Sequence, residues 1–331
     1  MSSVFRRSSH HAVLGLLVTC SGLWTGCSTS PVTGPHSNQE PNRVFDRLAG
    51  LEVTSDRLYQ SIADQADVVG FSHQLEVESD LANPFTPFEM ERIAQSFVRS
   101  LKVMLFDLAP ANFWEHHLAH YYASTLSPAE ARTLVEGYEQ EALVPSSRVQ
   151  ELRWNFVRDR LPDLLPAVRA RSHRFKISTD AMVPVLLPDD YVIVHKAAYH
   201  ATEPRRGDVV VYRYPDETGP LFLHRVIGLP GDRIEIRDQV VTVNEDLLAE
   251  SYVQHTDRSS MAGNVRDNLG PVTVPPDSYF LLGDNREESL DSRFLGPIGK
   301  EHILGQVVFI YWSIDPDTRI PRWDRLNQPV R

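Results

Sequence analysis

Two places in this 331-residue chain put histidines where they could do chemistry. The first is His224, in the run L-H-R-V-I-G-L-P-G-D from Leu223 to Asp232. An imidazole titrates near pH 6.5, so a neutral ring can take up and return a proton at physiological pH. The second is the pair His116 and His120, four residues apart, which on one helix would stand on the same face like two metal ligands. Glu115 precedes His116 and does not follow it, so the pattern is not H-E-x-x-H, and spacing indicates no third ligand. The pair is read as a polar helix face, and neither a metal site nor a cofactor is expected. Judged on its neighbours alone, His224 reads as a satisfied strand histidine.

Its position is set by the elements on either side. Leu221 to Ile227 reads as a strand, and Leu-Pro-Gly-Asp after it reads as a tight corner. Pro230 fixes its own φ there, and Gly231 tolerates the positive φ of a sharp reversal. From Arg233 to Asn244 the chain is rich in β-branched residues, with alternation at Ile234 and Ile236 and again at Val241 and Val243. Tyr191 to His195, Asp208 to Tyr212 and Gly305 to Tyr311 are further short β-runs. From Phe175 to about Asp315 the pattern is strand, turn, strand.

The N-terminal half has a different period. Thr86-Pro87-Phe88-Glu89 is a capping box with proline at the first helical position, and Phe97, Leu101, Leu105 and Leu108 mark one face after it. Ser127-Pro128-Ala129-Glu130 repeats the device before Leu134, Val135 and Tyr138. A further start at Ser147 leads into Leu152, Phe156 and Val157. With one more helix near Val44 to Val69, these make a small bundle over residues 44–170. Pro162 and Pro166 are expected to interrupt the helical pattern and divide it from a β-domain over 171–331. The fold class is therefore α+β.

Before the bundle, Met1 to Cys27 carries Arg6, Arg7 and a short apolar run from Ala12 to Trp24, too short for an ordinary spanning helix of about 20 residues. It reads as a signal peptide. The ending L-W-T-G-C resembles a bacterial lipobox, with Trp24 where an aliphatic residue is usual, so Cys27 is expected to carry lipid. Residues 28–43 are a Ser/Pro/Gly/Asn tether. Beyond Cys27 there is no cysteine, which rules out a disulfide framework or thiolate metal site in the body. The charge of −11 gives no basic face for nucleic acid.

The β-rich half resembles the bacterial signal peptidase I family over roughly 140 residues. T-D-A-M-V-P-V-L from Thr179 to Leu186 resembles the nucleophile box S-G-S-M-x-P-T-L. R-G-D-V-V-V-Y from Arg206 resembles the strand that follows, and L-H-R-V-I-G-L-P-G-D the box that carries the general base. G-D-N-R-E-E-S-L-D-S-R from Gly283 resembles the closing box almost letter for letter. The resemblance implies a mostly antiparallel β-domain that takes an extended peptide or preprotein segment along a strand edge, with small pockets selecting Ala-like side chains.

Carried over residue by residue, the resemblance breaks at the chemistry. Ala181 stands at the nucleophile position and His224 at the position of the lysine base. Thr179 keeps the oxyanion-stabilising hydroxyl, while Asp180 replaces a glycine and Ser178 a proline. Met182 and Pro184 keep the supporting part of the first box; Asp284, Asn285 and Arg286 keep that of the last. Ser289 orients the base, and Asp291 with Arg293 forms a structural ion pair. A histidine base occurs in the branch of the family found in the endoplasmic reticulum and archaea, so a serine restored at 181 would meet a competent base.

Three functions follow as expectations. The first is an exported, lipid-anchored protein at the periplasmic or outer face of a bacterial membrane that binds extended peptides without cleaving them. A second is an endopeptidase using Thr179 with His224. There, residues two apart on a strand would put the threonine hydroxyl on the same face as position 181. The third is a structural envelope lipoprotein.

Overall fold

The structure, a computed structural model, describes residues 40–54, 57–63, 85–103, 105, 112–139, 147–256 and 264–330. Cys27, the leader and most of the tether lie outside the described residues, as does Leu108. The chain divides into two compact units, the second beginning at Ser172.

The first unit is helical: α1 (Glu40–Thr54), α2 (Arg57–Ala63), α3 (Pro87–Lys102), α4 (Phe113–Thr125), α5 (Pro128–Glu139) and α6 (Ser147–Arg169). The tether expected to reach residue 43 stops earlier, because α1 already begins at Glu40. Pro41 is no obstacle in a first turn, whose N–H groups have no intrahelical partner. Both capping boxes form. Thr86 N donates to Glu89 Oε2 at 2.8 Å and Glu89 N to Thr86 Oγ1 at 3.3 Å; Ser127 and Glu130 repeat these distances. Leu105, Val135, Leu152, Phe156 and Val157 are buried, together with Phe45 and Leu48 of α1 and Leu118 of α4. His116 and His120 are both exposed on α4, and among the described residues no cluster could hold a metal ion.

Pro162 and Pro166 do not interrupt α6, which runs unbroken to Arg169. Each proline removes a backbone donor at a cost of about 3 kcal/mol in an isolated helix. Burial of Val149, Leu152, Phe156, Val157 and Leu161 anchors the helix up to the first of the two prolines.

Glu52 is fully buried in this unit, with Arg153 Nε 2.8 Å from Oε2. Burial outweighs the attraction of Arg153 and Arg57 and raises its pKa from 4.5 to about 7. A carboxyl held protonated by folding stabilises the fold below its unfolded pKa, and that contribution disappears as pH rises through about 7. The rise corresponds to ~3 kcal/mol. Urea midpoints of the helical unit, followed by far-UV circular dichroism, should therefore fall from pH 4.5 to 7. Glu52→Gln should flatten that slope. A wild-type helical midpoint that climbs over this range would refute the assignment.

The second unit holds two antiparallel sheets. Its strands are β1 (Ser172–Lys176), β2 (Asp190–His195), β3 (Val209–Arg213), β4 (Leu221–Gly228), β5 (Arg233–Arg237), β6 (Val240–Val243), β7 (Asp246–Leu247), β8 (Leu269–Thr273), β9 (Ser278–Leu282), β10 (Ile298–Gly299) and β11 (Ile303–Ser313). The larger sheet has the order β1-β2-β11-β3-β4-β9-β10 and the smaller β7-β6-β5-β8. At the Leu-Pro-Gly-Asp corner Gly231 has φ 88°, and Asp232 accepts from Arg206, Asn244 and the Leu229 amide. The run from Arg233 to Asn244 is a hairpin. Asp238 and Gln239 supply the two positive φ values, 47° and 70°, of its two-residue turn.

Strand β4 is central, and its alternation sorts two chemistries. Val226 packs with Val210, Tyr212, Tyr279, Leu281 and Ile298. Ile227, on the opposite face, packs with Ile234, Ile236, Val241, Val243, Phe280 and Leu282. By the same period of two, His224 shares the face of Val226 and Arg225 that of Ile227.

Candidate active site

The box from Thr179 to Leu186 is a turn, not a strand: Val183 N donates to Asp180 O at 3.1 Å and Leu186 N to Met182 O at 2.8 Å. Met182 is buried beneath it, Ala181 half-buried, and Thr179, Asp180 and Pro184 exposed. The alternation that would place the Thr179 hydroxyl on the face of position 181 therefore does not apply there.

Ala181 is tied to the closing box. Its carbonyl accepts from Asn285 N at 3.0 Å. Gly283 is required beside it, since a Cβ there would lie 2.3 Å from Ser289 Oγ and 2.6 Å from Ala181 O. That near-contact brings Ala181, Gly283, Asn285 and Ser289 into one place.

From Ser289 a chain of polar groups runs through the buried interior. Ser289 Oγ lies 3.0 Å from His224 Nε2 and donates to Asp291 Oδ2 at 2.7 Å. On the other side of the ring, His224 Nδ1 lies 2.9 Å from Tyr212 Oη. The strand register explains that last contact. Val210 stands directly opposite His224 and Tyr212 opposite Phe222, so the phenol reaches the imidazole along the diagonal. Tyr212 also stacks on Phe222, with ring centroids 5.4 Å apart.

Arg293 anchors the far end. Its Nε and Nη2 donate to the two Asp291 oxygens at 2.8 Å each, Nη2 also donates to the Arg286 carbonyl at 2.6 Å, and Gly283 N donates to Asp291 Oδ2 at 3.0 Å. Burial pushes the Asp291 pKa up, but the Arg293 hydrogen bonds and charge outweigh it and hold the carboxyl below its usual range. His224 is only 2 % exposed. Burial, more than the opposing attraction of Asp291, lowers its pKa to about 4, so the ring is neutral at pH 7.

A second buried pair braces the other face of β4. Arg225 Nε and Nη2 donate to Asp284 at 2.8 and 2.6 Å, Nη1 donates to the Gly207 carbonyl at 2.8 Å, and the guanidinium lies 4.1 Å from the centre of the Tyr252 ring. Arg286 pairs with Glu250 and donates to the Gly283 carbonyl at 3.1 Å. Asn285 is buried, and its side-chain oxygen has no partner among the described residues. Tyr212 and Arg225 were not singled out from the sequence. Their signals were present in the alternation of β3, which puts Tyr212 on the face of Val210, and in the adjacency of Arg225 to His224.

The comparisons fit this geometry. Residues 167–312 match the family described as signal peptidase, peptidase S26. A signal peptidase I of Leptolyngbya laminosa is 35% identical over 147 residues, which cover 42% of this chain and 68% of that one. A signal peptidase I of Bacillus licheniformis is 33% identical over 144 residues, covering 43% and 77%. A probable signal peptidase I-1 of Synechocystis is 30% identical over 188 residues, covering 53% and 89%. An antiparallel β-unit that carries these boxes in order fits that class. The chain belongs to the signal peptidase I family. Residues 40–166 lie outside the family match.

Proposed function

We propose that the β-unit binds extended peptide or preprotein segments without cleaving them. The observation that carries this reading is Ala181, a methyl at the family's nucleophile position, beside a closing box that is kept. Its carbonyl is held by Asn285 N, and Ser289, His224 and Asp291 stand assembled behind it. An alanine has no lone pair with which to attack a carbonyl. Deleting the nucleophile of a serine hydrolase typically costs about 10⁶ in kcat. The alternative nucleophile, Thr179, is exposed on a turn and loses the strand argument that favoured it.

The half-buried methyl of Ala181 favours small side chains in the bound peptide, and main-chain pairing supplies affinity. In this reading the protein is exported and held at the membrane through lipid on Cys27. Among the described residues no helix is long and apolar enough to cross a membrane.

Incubating the purified protein with a preprotein should give no cleavage above background, while an extended peptide with alanine-like side chains should bind and Ala181→Phe should abolish that binding. Cleavage by the wild-type chain, lost in Thr179→Val, would replace this reading with the displaced-nucleophile one. Metabolic labelling with palmitate should mark the wild type and leave Cys27→Ala unlabelled. Equal labelling of both would remove the anchor from the proposal.

A further inference from the structure

The direction of the hydrogen-bond chain through His224 has a chemical consequence separate from the missing nucleophile. The serine hydroxyl has one proton, and two neighbours compete for it: Asp291 Oδ2 at 2.7 Å and His224 Nε2 at 3.0 Å. Arg293 keeps Asp291 ionised, and a carboxylate can only accept. Pointing the Ser289 proton at the ring would leave two bare oxygen acceptors 2.7 Å apart in the buried interior. Ser289 therefore donates to Asp291, and its lone pair is what faces Nε2.

The Tyr212 end agrees. Among the described residues the phenol makes one hydrogen bond, to Nδ1. If Nδ1 carried the ring proton, the buried Tyr212 hydroxyl would accept from it and have no acceptor for its own hydrogen. An unmet buried donor costs about 1–3 kcal/mol. Both ends of the chain select the same tautomer, and a neutral ring has only one proton to place.

We propose that Asp291, acting through Ser289, fixes the ring proton of His224 on Nε2 while Tyr212 caps the lone pair of Nδ1, so that this imidazole is a closed structural link and not a general base. Asp291, Ser289 and Tyr212 are positioning residues in this arrangement. The ring offers no free lone pair toward position 181, so the site lacks a base as well as a nucleophile. The expectation that a serine at 181 would suffice is thereby reversed. The activity arm of this inference rests on the non-cleaving reading; the tautomer does not.

The test is nitrogen-15 resonance spectroscopy of histidine-labelled full-length protein at pH 7, with His224 assigned by its absence from His224→Asn. The wild type should show Nε2 protonated and Nδ1 unprotonated. Tyr212→Phe should keep the proton on Nε2 but shift the Nδ1 resonance as it loses its donor. Ser289→Ala should lose the single tautomer, and Ser289→Thr should restore it. A wild-type Nδ1–H, or an Nε2–H unaltered in Ser289→Ala, would overturn the proposal. In the activity arm, Ala181→Ser should stay at wild-type background, because nucleophile and base act as a unit and losing the base alone typically costs about as much as losing both, about 10⁶ in kcat. Cleavage by Ala181→Ser more than about 10²-fold above the wild type would overturn it as well. Cleavage by the wild type itself, with Nε2 protonated, would overturn the non-cleaving reading and leave the tautomer standing.

Discussion

Arg225→Ala should destabilise the β-unit by about 3–5 kcal/mol, the usual cost of breaking a buried ion pair from one side. Arg225 is fully buried in the middle of β4, and three sets of contacts end on it: the bidentate pair with Asp284, the Gly207 carbonyl and the Tyr252 ring. Truncation strands Asp284, itself 0% exposed, without its counter-charge. Burial already pushes the Asp284 pKa up against the pull of Arg225 and Arg286, so losing Arg225 should raise it further. Set against a typical total of about 5–15 kcal/mol, the loss removes a large share of the stability of the unit.

The double variant Arg225→Met with Asp284→Leu separates the causes. It removes both charges and keeps apolar volume, so it should recover most of the loss if the orphaned carboxylate is responsible. Amide hydrogen exchange of β4 and β9, which pair through Arg225 and Leu282, reports the unit directly. Protection in Arg225→Ala within 1 kcal/mol of the wild type would show that the pair contributes little.

What the sequence disclosed, and what it hid, follows from the range of the interactions involved. The corner at Pro230 and Gly231 and the capping boxes at Thr86 and Ser127 are local chemistry, decided within four residues, and they stand in the structure as read. The helix runs on through Pro162 and Pro166 against the local penalty, with buried Leu161 anchoring it just before the first of them. The box around Ala181 is a turn closed by its own backbone bonds, Val183 N to Asp180 O and Leu186 N to Met182 O, and tied to Gly283 and Asn285 about a hundred residues away, where a strand was expected. Tyr212 is the most instructive omission. Its importance lies in a diagonal across two strands, and nothing in R-G-D-V-V-V-Y says which residue will face its phenol. Ser289, Asp291 and Arg293 were legible only as a motif. The order of donors and acceptors along them belongs to the three-dimensional arrangement.

Acidification below about pH 6.5 should weaken the β-unit, and His224 should be the main cause, with half-buried His173 adding to it in the same direction. The His224 pKa falls from 6.5 in the unfolded chain to about 4 in the folded one, chiefly through burial. Between those values the unfolded state binds more protons, so stability rises with pH there and is lost as pH falls from 6.5 toward 4. The full span corresponds to ~3 kcal/mol, or about 6–12 °C in the midpoint for a unit of this size. Below about pH 4 Asp291 adds a second loss in the same direction. Its folded pKa is depressed against an ordinary 3.8, and protonation breaks its bonds to Arg293 and Ser289.

The helical unit should respond with the opposite sign over nearly the same range, because Glu52 is raised where His224 is lowered. Calorimetry between pH 4.5 and 6.5 should therefore resolve two transitions whose midpoints move apart or cross. His224→Gln, which removes the main titrating ring, should remove most of the slope of the β-unit transition and leave the helical one sloping. If the β-unit midpoint is already flat in the wild type, His224 is reached by water and protonates near its ordinary pKa. The buried Tyr212–His224–Ser289–Asp291 chain would then not be closed.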